Sequence, residues 1–141
     1  MQRRILSTLL TMCLILGILP PKARAAIENY SVPAEGGNIY IAYEEQNGQI
    51  FKWVYDCDDS VISAIIPSDV YKIDERAFQG CDQLNSITIP NNVTRISNYA
   101  FSGCSSLESI VIPDSVTTLD GYIFYNCTNL KNITLPRWCR Q

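Results

Sequence analysis

Cys81, Cys104 and Cys127 stand 23 residues apart, with Cys57 and Cys139 on either side of them. Thiols on a fixed step could bridge, bind metal or fill space. Chain segments stacked about 4.8 Å apart would bring successive Cα atoms within disulfide range. The same stacking keeps their Cβ atoms parallel at that separation, beyond the roughly 3.8 Å a bridge prefers. Metal ligation finds no support, because the chain has no histidine and no Cys-x-x-Cys pair, so no metal or other cofactor is expected. The favoured reading makes Cys81, Cys104 and Cys127 small buried thiols in an interior column. The spacing leaves the oxidation state of Cys57 and Cys139 open.

Catalysis by Ser-His or Cys-His pairs is excluded by the missing histidine. The carboxylate pairs Glu44-Glu45, Asp58-Asp59 and Asp74-Glu75 are sequence neighbours. On a strand such neighbours point to opposite sides, which suits solvated charges better than an acid–base pair. No catalytic residue is assigned and the expectation is a protein that is not an enzyme. A hydrolase is the least favoured alternative.

The segments that must hold the cysteines repeat with them. The 23-residue step also carries Pro67, Pro90, Pro113 and Pro136, then Phe78, Phe101 and Phe124, and Leu84, Leu107 and Leu130. Val70, Val93 and Val116 keep it, as do Ile73, Ile96 and Leu119, and Ile87, Ile110 and Ile133. A period in the twenties marks a solenoid, in which each unit buries its apolar side against its neighbours. In the middle unit, Leu107, Ile110 and Ile112 give a short strand with Ser109 and Val111 facing outward. Pro113 ends it, having no N–H to donate. Val93 to Ile96 is a second extended piece, Ser97 to Phe101 a helical or 3-10 turn, and Gly103 the bend into Cys104. The fold class is therefore a β-rich solenoid of short parallel strands. Phe78, Phe101 and Phe124 form one internal ladder and the three cysteines another. The outward positions Ser63, Ile65, Ser86, Thr88, Ser109, Val111, Asn132 and Thr134 make a shallow sheet of the kind that contacts proteins. They can equally be solvent-facing positions chosen for β propensity.

Residues 1–25 carry Arg3 and Arg4, an apolar run from Ile5 to Leu19, and Ala23-Arg24-Ala25, the pattern of a signal peptide cleaved after Ala25. The alternative, an uncleaved membrane anchor, is disfavoured because a span needs roughly 20 apolar residues. Residues 26–141 then hold 7 basic and 14 acidic residues, a net charge of −7. That balance excludes nucleic acid and anionic membrane as favoured partners. Residues 26–65 read as an N-terminal cap: a polar lead-in, then a β-hairpin of Asn38–Tyr43 and Ile50–Tyr55 about the Asn47-Gly48 turn. Shifting the step back places Ile50 on Ile73, Tyr55 on Phe78, Val61 on Leu84 and Ala64 on Ile87, a degenerate entry unit. Residues 66–135 are three full units. Residues 136–141 break the pattern, either as a tail in which Trp138 covers Leu130 and Ile133 or as the mark of a truncated reading frame.

The pattern Ile-Pro-x-x-Val-x-x-Ile-x-x-x-Ala-Phe-x-x-Cys-x-x-Leu-x-x-Ile runs from Ile66 to Ile87, Ile89 to Ile110 and Ile112 to Ile133, with Ile123 in place of alanine in the last. It resembles the BspA-type (treponemal-type) leucine-rich repeat of secreted bacterial proteins. The resemblance implies a right-handed leucine-rich-repeat coil, secreted or displayed at the cell surface. It implies a protein partner there, such as a host extracellular-matrix or cell-surface protein, bound in adhesion. The bulk of Ile123 implies looser packing near the C-terminal end.

Overall fold

The computed structural model describes residues 28–140, so the segment read as a signal peptide lies outside the described residues. Among the described residues ten strands and one short 3-10 helix follow in chain order. They are β1 (Glu28–Ala34), β2 (Gly37–Gln46), β3 (Gln49–Cys57), β4 (Ser63–Ile65), β5 (Val70–Ile73), β6 (Ser86–Thr88), β7 (Arg95–Ile96), β8 (Ser109–Val111), β9 (Thr118–Leu119) and β10 (Asn132–Thr134), then the helix, Arg137–Arg140.

One side of the coil is a mixed sheet of order β1-β2-β3-β5-β7-β9, antiparallel through β3 and parallel beyond it. The opposite side carries two parallel pairs, β4 with β6 and β8 with β10. Ala64 lies beside Ile87 and Ile110 beside Ile133, while Ile73, Ile96 and Leu119 run down the first sheet. Each pairing keeps the 23-residue step, so the columns read from the sequence are the interior. Phe78, Phe101, Cys81, Cys104, Leu84 and Leu107 have no exposed surface. The Phe78 and Phe101 rings stack at 5.3 Å between centroids and Phe101 and Phe124 at 5.9 Å.

The cap differs from the expected hairpin in two ways. Residues read as a polar lead-in form β1, which pairs with β2 from Glu28–Tyr43 to Ala34–Gly37 and makes a three-stranded meander. Alternation of Tyr30, Val32 and Ala34, all packed on the core, was the signal for this strand. The β2–β3 turn is as expected, with Asn47 and Gly48 both at positive φ. Gly36 turns β1 into β2 at φ +87, and a Cβ there would sit 2.2 Å from the Ser60 carbonyl oxygen. Glycine is required at that position.

The second difference is register. Val54, not Ile50, stands beside Ile73, and Ile50 is exposed. The Asp74, Ser97 and Asp120 amides donate to the carbonyls of Val54, Ile73 and Ile96, which confirms the equivalence. From Val54 to Ala64 the entry coil spends ten residues where Ile73 to Ile87 spends fourteen. It therefore lacks the phenylalanine-bearing turn, and Tyr55 does not occupy the Phe78 position.

That turn is also not a helix in the full coils. Ala100 donates to Ser97 and Ser102 to Tyr99, at 3.3 and 3.0 Å, as successive single turns. Tyr99 lies between them at φ +57, a left-handed value that stops a right-handed helix from forming. Arg76 and Tyr122, one step either side, share that conformation at φ +59 and +58.

Candidate functional site

The cysteine column splits into two chemistries. Cys81 is bonded to Cys57 in a disulfide, which corrects the reading of Cys81 as a free thiol. The shortened entry coil is the physical reason. Cys57 ends β3 one position off the repeat slot, so it approaches Cys81 from the cap and is not stacked in parallel above it. Cys104 and Cys127 are free, as expected of column members. Their thiols donate to the carbonyl oxygens of Phe78 and Phe101 one coil away, at 3.1 and 3.0 Å. The column thus uses a small side chain that also satisfies a buried acceptor. The neighbouring Cys127 thiol, with burial, raises the Cys104 thiol well above the usual range. The same interaction pulls the Cys127 thiol down to about 7.

The carboxylate pairs serve the scaffold. Asp58 accepts from the Asn38 backbone amide at 2.9 Å, from Asn38 Nδ2 at 3.0 Å and from the Tyr40 hydroxyl at 2.9 Å, locking β2 to the first coil. Asp74 pairs with Lys72 at 2.7 Å and Glu75 with Arg76 at 3.3 Å. Glu44 accepts from Gln46 at 2.6 Å. Among the described residues no group of three or more His, Cys, Asp or Glu side chains could hold a metal ion.

The eight outward positions lie where the period-2 reading puts them. Ser63 and Ile65 flank Ala64 on β4, Ser86 and Thr88 flank Ile87 on β6, Ser109 and Val111 flank Ile110 on β8, and Asn132 and Thr134 flank Ile133 on β10. All are exposed except Ser63, which is partly covered by its hydrogen bond to Glu35 at 2.7 Å. The row is not one continuous sheet, because β6 and β8 belong to separate pairs. A groove of about 520 Å³ runs between them, lined by Ser86, Thr88, Ser109, Val111, Thr134 and Arg140 among others. Ile65 is 74% exposed and Val111 61%, two large apolar side chains on an otherwise polar row.

A second column, half-buried at Tyr99 and exposed at Tyr122 and Tyr125, went unread in the sequence. Tyr99 and Tyr122 stack at 5.1 Å and 6° outside the coil, Tyr125 meets Tyr122 edge-on at 6.3 Å, and Arg76 lies 5.7 Å from the Tyr99 ring centre. The repeat of Tyr99 and Tyr122 on the 23-residue step could have revealed it.

Comparison with known proteins agrees with this geometry. Residues 49–141 match the BspA type leucine rich repeat region in six copies, a match that begins with β3 and so includes the short entry coil. A leucine-rich repeat protein from Eubacterium ventriosum is similar in structure, with a TM-score of 0.57 at 28% identity over 65% of this chain and 26% of that one. A leucine rich cell surface protein from Faecalibacterium prausnitzii is 25% identical, with a TM-score of 0.34 over 67% of this chain and 37% of that one. A leucine-rich repeat protein from T. pallidum is 19% identical, with a TM-score of 0.44 over 76% and 72%. The chain therefore spans well under half the length of the first two proteins. No curated protein matches the sequence. With two thirds of its length matched and the stacked 23-residue coils present, the chain belongs to the BspA-type leucine-rich repeat family.

Proposed function

We propose that this chain is an exported, non-catalytic module that binds a protein through the outward row of β4, β6, β8 and β10. The observation that carries the reading is the groove between β6 and β8, where small polar side chains surround the exposed Val111. Such a surface has apolar area for contact and main-chain groups at two strand edges for hydrogen bonds. An extracellular-matrix or cell-surface protein is the partner class. Export is supported by the Cys57–Cys81 bridge, which suits an oxidising compartment. The test is capture of matrix and surface proteins on the immobilised chain, with Thr88→Lys and Val111→Lys as face-blocking variants. A partner lost with both variants supports the reading, and one retained by both refutes it.

A second reading, one end of a longer multi-repeat surface protein without independent activity, is favoured by the 26% share of the Eubacterium ventriosum protein that the chain covers. Cooperative thermal unfolding of the purified chain would count against it.

A further inference from the structure

The six-stranded sheet carries an aromatic island that the repeat does not require. On β3, Lys52 and Val54 stand beside the buried Val70 and Ile73, so the alternate residues Phe51, Trp53 and Tyr55 turn away from the coil. Tyr40, between the buried Ile39 and Ile41, faces the same way, and its ring lies 6.2 Å from that of Tyr55. Tyr71, the extra residue at the register shift between β3 and β5, meets Phe51 edge-on at 5.6 Å. All five rings are half-buried. Outward neighbours on both sides are polar: Asn29 and Ser31 on β1, then Lys72, Arg95 and Thr118 across β5, β7 and β9. An apolar patch with a polar rim marks a binding surface.

We infer that this island binds a neutral polysaccharide chain lying along β3. The stripe from Phe51 to Tyr55 spans about 13 Å. Its ring faces are electron-rich and attract the weakly positive C–H faces of sugars.

Charge selects the ligand class. Lys72 pairs with Asp74 and Arg95 with Asp120, each at 2.7 Å, so both cations are already neutralised on the protein itself. Glu44 stands beside Phe51 and Asp56 beside Tyr40, so the face sets four carboxylates against two cations. Carboxylates accept hydrogen bonds from sugar hydroxyls and repel a polyanion. A protein surface broad enough for a stable interface would have to desolvate both ion pairs. A single sugar chain over β3 leaves them in water. The island lies on a different sheet from the β6–β8 groove and is separate from the proposed protein-binding row.

Affinity electrophoresis of the purified chain tests the inference. Native gels hold hydroxyethylcellulose, laminarin, galactomannan or arabinoxylan, with heparin and polygalacturonate as anionic counterparts. At least one neutral polysaccharide should retard the chain, and added salt should not release it. Trp53→Ala should weaken that binding about tenfold or more, while Val111→Lys, on the other sheet, should not. No retardation by any neutral polymer overturns the inference. So does binding to the anionic polymers alone, binding indifferent to Trp53→Ala, or binding lost with Val111→Lys. Should Trp53→Ala fail to fold, hydrogen exchange on the unaltered chain with the retarding polymer decides. Slowed exchange at 40–44 and 51–55 supports the site, and protection confined to other strands refutes it.

Discussion

Phe101 lies between Phe78 and Phe124, fully buried, whereas Phe124 has a neighbour on one side only. Phe101→Ala should cost about 3–5 kcal/mol in denaturant unfolding and Phe124→Ala roughly half as much, because the open end already leaves part of that ring in water. The free thiols should separate by reactivity. With its thiol lowered to about 7, Cys127 exposes thiolate as pH rises through neutrality, so its alkylation rate should climb there. Cys104, buried and shifted upward, should label only after unfolding. Peptide mass mapping after brief alkylation between pH 6 and 9 checks both. The interior columns were legible because burial recurs with the coil and apolar side chains record it. Asp58 and Cys57 were not, since each makes its contacts across a register that shifts at the cap.

At the scale of elements, the cap is where the sequence was hardest to read. Sliding the 23-residue step backwards assumed a full coil from Ile50 to Ala64, and the chain instead takes a shorter route from Val54 to Ala64. A shorter turn removes the phenylalanine position and turns Cys57 toward Cys81. The strand β1 was missed because Pro33 and Gly36-Gly37 read as lead-in, yet Pro33 falls on an edge strand, where a missing N–H is tolerated. The bridge closes a separation of 24 residues. Its reduction should remove about 3 kcal/mol of stability, seen as a lower melting temperature for Cys57→Ser, Cys81→Ser or the reduced chain. If the bridge were incidental, the oxidised and reduced forms would melt together.

For the described array as a whole, the meander, the bridge and Asp58 tie the cap to the first coil. None of them occupies the outward row of β4, β6, β8 and β10. The position of that row followed from the period-2 alternation around Ala64, Ile87, Ile110 and Ile133. The groove did not, because separation of β6 from β8 depends on how adjacent coils lean and leaves no mark on residue type. Hydrogen exchange on the chain with its captured partner is the most direct test of the binding face. The predicted result is slowed exchange at residues 86–88 and 109–111, with 95–96 unchanged. Protection of 95–96 with 86–88 and 109–111 unaltered would contradict it.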